Sequence, residues 1–176
     1  VLFRSVTGCR AKRPSPDIEF VAGEIETAEE KTDYSRPETW ILGYFPRERM
    51  LLPPHEGWFQ KGYDDYTFNA DIVNKLTEIP KDDISIKIVM GTWCPDSRRE
   101  VPRFLRLTDI WKFPAENIIF IGVDDVKVSP VGEYDNLNIQ RVPTFIFYKN
   151  NIEAGRIIEN PETSLEQDII NILSGE

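Results

Sequence analysis

Cys94 stands at the junction between an apolar run, Ile84–Met90, and a stretch with helical periodicity. A cysteine in that position lies where the free N–H groups of a helix converge, so its thiolate is favoured over its thiol. That position suits a nucleophile. The surrounding residues read Thr92-Trp93-Cys94-Pro95-Asp96-Ser97, and Ser97 holds the place where a dithiol motif carries its resolving cysteine. The chemistry open to such a site is that of one thiol, with an external thiol releasing any mixed disulfide. Arg98 and Arg99 would support a thiolate if directed at Cys94, and are otherwise solvated. Asp96 acts in the opposite sense, by like charge.

Other residue types narrow the field. His55 is the only histidine, so a metal site built on histidines has no second ligand, and a packed or surface role is expected for it. Its loop, Pro53-Pro54-His55-Glu56-Gly57-Trp58, is an alternative wall for the cleft beside Cys94. No metal or cofactor is expected. A formal charge of −9 argues against a phosphate-binding surface, so nucleic acid is not an expected partner. Two cysteines, Cys9 and Cys94, cannot make a disulfide framework, and no run of 18 apolar residues is present to span a bilayer.

The elements that must position Cys94 follow from periodicity. Phe68, Ile72, Val73, Leu76 and Ile79 recur at helical spacing and end at Pro80, ahead of a buried strand at Ile84–Met90. Beyond the cysteine, Val101, Phe104, Leu105, Thr108 and Trp111 share a helical face that Pro102 should kink. Residues 117–123 read as a continuous apolar strand, and 127–140 as a loop with a short helix. Residues 144–148 and 152–158 form a hairpin across Asn150-Asn151, a pair that tolerates positive φ. Thr163 and Glu166 read as a capping box for a final helix carrying Leu165, Ile169, Ile172 and Leu173.

Upstream, the chain changes character. Val6-Thr7-Gly8-Cys9 resembles a bacterial lipobox, which would make Cys9 a lipidation site, the alternative being an ordinary surface cysteine. Residues 10–16 are basic and Pro-rich, as in an unstructured tether, and the acidic stretch 24–30 reads as a solvated face. Between 34 and 66 aromatics and prolines are dense without a sustained helical period, so this part is expected to cover an edge or face of the core. The expected organisation is a tether at 1–17, an aromatic extension at 18–65 and the main domain at 66–176.

The Trp93-Cys94-Pro95-Asp96-Ser97 motif after the first core strand, Pro102 eight residues beyond the cysteine, and Val142-Pro143-Thr144 before the hairpin together resemble the thioredoxin superfamily over residues 66–175. The resemblance implies an α/β thioredoxin-like fold, a central mixed sheet flanked by helices with an N-terminal extension. It implies Cys94 as an exposed nucleophile, Ser97 as a hydroxyl able to donate to the thiolate, and Pro143, in cis, bringing the Val142 backbone beside the sulfur. An extended substrate would add there through main-chain hydrogen bonds. Trp93, Pro95 and Thr144 would complete the substrate surface, with Trp93 shielding the thiol or simply packing. Two departures accompany Ser97. The buried acid that thioredoxins carry six residues before the nucleophile is Ile88 here, and residues 118–123 contain no lysine to partner it.

Two functions are consistent with this pattern. One is monothiol thiol–disulfide exchange with protein or small-molecule thiols and disulfides in the bacterial cell envelope, membrane contact being limited to a lipid anchor at Cys9. Without a lipobox the location would be cytoplasmic. The other is a redox-inactive binding or scaffold module that uses the cis-proline groove.

Overall fold

The computed structural model describes residues 32–175; Cys9, the tether and the acidic stretch at 24–30 lie outside the described residues. In chain order the elements are strand β1 (Gly43–Phe45), helices α1 (Glu56–Asp64) and α2 (Ala70–Glu78), strand β2 (Ile84–Met90), helix α3 (Pro95–Trp111), strands β3 (Ile118–Gly122), β4 (Thr144–Lys149) and β5 (Ile152–Ile158), and helix α4 (Leu165–Ser174). The sheet order is β1-β3-β2-β4-β5, with β2 and β3 parallel and every other pair antiparallel. This is the mixed α/β architecture expected from the sequence.

Strand β2 is central and its alternation sets the two faces of the sheet. Ile84, Ile86, Ile88 and Met90 point into a core closed by Phe59 of α1, Leu76 of α2, Phe104 and Leu105 of α3, and Ile169 of α4. Val89 points the other way, into a smaller cluster with Ile121, Ile146 and Val142 that Tyr134 and Leu137 cover from the connection between β3 and β4. That connection carries one short 3₁₀ turn, Tyr134–Leu137, as its polar composition suggested. Asn150 and Asn151 turn the β4–β5 hairpin with φ of 52° and 64°.

Pro102 lies inside α3 and is buried, its ring against α1, where a Cβ at Gly62 would come within 2.6 Å of it. Gly122 ends β3 for a similar reason, because a Cβ there would sit 1.9 Å from the Ile41 carbonyl oxygen.

Two expectations are corrected. The N-cap of α4 is Ser164, whose hydroxyl accepts the Gln167 N–H at 3.3 Å, rather than Thr163. Glu166 does not close a capping box; it is buried and reaches α2, accepting from Asn69 N at 2.9 Å and the Tyr66 hydroxyl at 2.8 Å. Adjacent Thr and Ser are near-equivalent caps, and only tertiary contact separates them. The second correction concerns 34–66, where Glu56–Asp64 is helical and Gly43–Phe45 is an edge strand. Helix α1 escaped notice because Trp58, Phe59 and Tyr63 wrap around more than one face of so short a segment.

Met50 and Phe59 lie in the same core as β2, and residues 32–175 fall within one compact unit. Phe59→Ala should therefore cost about 3–5 kcal/mol of global stability, read from the urea unfolding midpoint. An unchanged midpoint would show that α1 is peripheral.

Candidate active site

Chain geometry at the end of β2 places the thiol. Trp93 folds back so closely that a Cβ at Gly91 would lie 2.4 Å from its indole nitrogen, and that nitrogen donates to the Val123 carbonyl at 3.0 Å. Cys94 then acts as the N-cap of α3 with extended backbone (φ −76°, ψ 123°), and Pro95 opens the helix, where a missing N–H costs nothing. Arg98 N donates to the Cys94 carbonyl at 3.1 Å.

Across a narrow gap lies the chain before β4. The Val142–Pro143 peptide bond is cis, and the Cys94 thiol donates to the Val142 carbonyl at 3.3 Å. The structure thus brings Cys94, Val142 and Pro143 together. It differs from expectation in exposure, since Cys94 is only 7% exposed and belongs to the buried cluster that contains Val142. Pro95 is exposed beside it, on one wall of a groove of about 290 Å³ shared with Trp58, Arg98 and Arg99.

Three further expectations are revised. Ser97 is fully buried and its hydroxyl oxygen accepts the Gly91 N–H at 3.3 Å, so its hydrogen-bond partner is the end of β2 and not the Cys94 sulfur. Thr144 is 1% exposed and its hydroxyl donates to the Arg141 carbonyl at 2.7 Å, so its side chain braces the proline loop. Trp93 is half-buried and committed to Val123, the packing role. Asp96 and Arg99 pair at 2.7 Å, so each largely offsets the other's influence on the thiol.

Sequence reasoning missed the strap formed by residues 34–41. Thr92, two residues before the cysteine, accepts the Ile41 N–H at 3.2 Å and donates to the Thr39 carbonyl at 3.3 Å through its hydroxyl. Tyr34 lies over the Arg98 guanidinium at 4.3 Å and donates to the Pro54 carbonyl at 2.5 Å. The only signal in the sequence was the aromatic density itself.

His55 is 3% exposed, packed between Tyr34 (ring centroids 6.1 Å apart) and Trp58 (5.9 Å), and its Nδ1 has no partner. It makes no contact with Cys94 in this arrangement and reads as a packed histidine.

No protein-family model matches the chain. It is 34% identical to thioredoxin H5 of Oryza sativa subsp. japonica over 76 residues, 43% of this chain and 51% of that protein. It is 27% identical to a putative thioredoxin-5 of Dictyostelium discoideum over 96 residues, 54% of this chain and 88% of that one. A solved structure of a protein of unknown function from Pseudomonas aeruginosa aligns with a TM-score of 0.50 at 13% identity, covering 70% of this chain and 84% of that one. The matched stretch spans about half the length of the rice relative. The fold is thioredoxin-like, and the two sequence matches support the thioredoxin-like superfamily.

Burial, reinforced by the charge of Arg49, pushes the pKa of His55 below its ordinary value. The unfolded chain therefore binds this proton more readily than the folded one, and stability falls as pH drops through the unfolded value of about 6.5. Urea midpoints at pH 7.5 and 5.5 should differ less in His55→Phe than in the unaltered protein. An identical pH dependence in both would remove His55 from the account.

Proposed function

We propose that this protein is a thiol–disulfide exchange protein that works through the single thiol of Cys94. The observation that carries the reading is the 3.3 Å approach of the Cys94 sulfur to the Val142 carbonyl at a cis-proline junction, on the N-cap of a long helix. The thiolate attacks one sulfur of a substrate disulfide, a new S–S bond forms as the old one breaks, and the leaving thiolate takes a proton from solvent. An external thiolate then attacks the mixed disulfide and expels the Cys94 thiolate, so the cycle closes without a second cysteine. Ser97 holds the end of β2 in place meanwhile. Protein or small-molecule disulfides are the substrates and free thiols the resolving partners.

A second reading is favoured by one observation, the burial of Cys94. In it the same groove holds a partner strand and the thiol takes no part. The two are separated by incubating the protein with hydroxyethyl disulfide and mapping peptides. Exchange predicts a dithiothreitol-reversible adduct at Cys94, and Ser97→Cys should then raise insulin reduction about tenfold or more by supplying a resolving thiol. Absence of the adduct at Cys94 under native conditions would favour the binding module.

The lipobox resemblance at Val6-Thr7-Gly8-Cys9 supports a place in the bacterial cell envelope, on the periplasmic side and tethered by lipid at Cys9. Mass spectrometry of the product recovered from native bacterial cells should find a lipid-modified Cys9 as its first residue. An unmodified Cys9 within a longer or intact chain would point to the cytoplasm instead.

A further inference from the structure

We infer that Arg98, clamped by Tyr34, is the positioning residue that sets the reactivity of Cys94, its charge serving the thiol and no carboxylate. The inference rests on the exchange reading above. One nitrogen of the guanidinium, Nη1, donates at 2.9 Å to both the Thr92 and the Trp93 carbonyls. The second of these belongs to the peptide bond that leads into Cys94, so the charge is fixed beside the nucleophile by a bond one residue away. The opposite side is held by the ring of Tyr34, 4.3 Å from the guanidinium carbon.

The neighbouring cations are differently occupied. Arg99 is paired with Asp96 at 2.7 Å and Glu100 at 2.6 Å, and Arg103 with Glu100 at 3.1 Å. Among the described residues no carboxylate pairs with Arg98, although it is half-buried. A guanidinium withdrawn from water and left without an acid is stabilised by whatever anion can form nearby. Burial lowers the pKa of Arg98, and the groups that work against this are Tyr34 and Cys94. The titratable and charged groups around this pair include Asp96, Arg99 and Arg103 from α3, Lys61 and its partner Asp65 at the end of α1, Tyr34 from the strap, His55 from the start of α1, and Arg141 with its partner Glu159 at the proline loop. Asp96 and Arg141 already have partners, His55 is held toward its neutral form, and Tyr34 contributes a ring face. Among the cations that line the groove beside Pro95, Lys61 pairs with Asp65, Arg99 with Asp96 and Arg103 with Glu100, and Arg98 alone has no carboxylate partner among the described residues.

The strap gives the arrangement its rigidity. The Tyr34 hydroxyl donates to the Pro54 carbonyl at 2.5 Å, which holds the ring over Arg98, and the Tyr34 backbone carbonyl receives the Trp40 indole N–H at 2.9 Å.

The test is the rate of iodoacetamide alkylation at Cys94, resolved by peptide mapping, at pH 6 and pH 8, expressed as a ratio. The charge of a nearby cation favours thiolate most at the lower pH, so Arg98→Gln should lower the pH 6 to pH 8 ratio about tenfold. Arg98→Lys, which keeps the charge, should keep the ratio within about threefold. Tyr34→Phe should leave it unchanged and Tyr34→Ala should lower it by about threefold, because only the latter frees the guanidinium to solvent. A purely structural Arg98 would change both rates by one factor and leave the ratio alone, which overturns the inference. If Arg98→Gln does not fold, Tyr34→Ala decides between the same two outcomes, because the inference predicts a lowered ratio for it and a purely structural Arg98 an unchanged one. In the unaltered protein, a Cys94 that reacts at neither pH overturns the exchange reading and this inference with it. A reactive Cys94 whose ratio ignores Arg98 overturns the inference alone.

Discussion

The contact on which the site depends lies ten residues from the thiol. Phe104 of α3 stacks on Phe145 of β4 with ring centroids 4.4 Å apart, and meets Phe147 edge-on at 5.9 Å. All three rings are fully buried. Cys94 stands at the start of the helix that carries Phe104, and Pro143 two residues before Phe145. The aromatic contact, together with the pairing of Val89 on β2 with Thr144 on β4, holds the two halves of the cleft at their separation, with the sulfur 3.3 Å from the Val142 carbonyl between them. Aromatic pairs of this kind contribute about 0.5–1.5 kcal/mol beyond the area that they bury. That is modest as stability, but a shift of one ångström here would change the approach of the thiol to the Val142 carbonyl.

A second layer of constraint comes from outside the part of the chain that carries the motif. Thr92 is held by Thr39 and Ile41, Arg98 by Tyr34, and Gly122 leaves room for the Ile41 carbonyl. Residues 34–41 thereby fasten the approach to the cysteine from the side opposite the proline loop. The strap adds two hydrogen bonds at Thr92 to those that residues 91–94 make with Ser97, Val123, Val142 and Arg98. Strand β1 follows directly, pairing Gly43 with Gly122 and Phe45 with Phe120, so the strap is anchored in the sheet at its C-terminal end.

What was legible in the sequence follows a physical division. Elements with strong periodicity and clear punctuation could be read closely: β2 lies at Ile84–Met90, and the Asn150-Asn151 turn stands between its strands, because alternation and positive-φ residues act locally. The location of the thiol at a strand-to-helix junction was likewise a local property. Its exposure was not, because Cys94 is buried in a cluster with residues far along the chain, among them Val142, 48 positions away. Ser97 shows the same limit. Its placement on the helix was predictable, whereas its choice of Gly91 N–H over the sulfur depends on how β2 ends. Arg98 and Arg99 are adjacent and alike in composition, yet one pairs with carboxylates and the other with carbonyls and a ring; only tertiary structure distinguishes them.

Position 88 departs from the pattern that the sequence resembles. Ile88 is fully buried, with Phe145 beside it on β4 and Phe120 on β3. Burial of such a side chain contributes about 1.5–3 kcal/mol. An ionised carboxylate in the same surroundings would lack any hydrogen-bond partner and would neutralise or destabilise the fold by several kcal/mol. In the thioredoxin pattern that the sequence resembles, a buried acid at this point serves to take a proton from a second thiol. With Ser97 in that thiol's place there is no such proton, and the apolar residue is the lower-energy choice. Ile88 and Ser97 therefore answer to one constraint, and each removes the reason for changing the other alone. Restoring the second sulfur at position 97 would supply a resolving group without the base that assists it, so any dithiol activity gained that way should rise with pH, as solvent hydroxide replaces the missing acceptor.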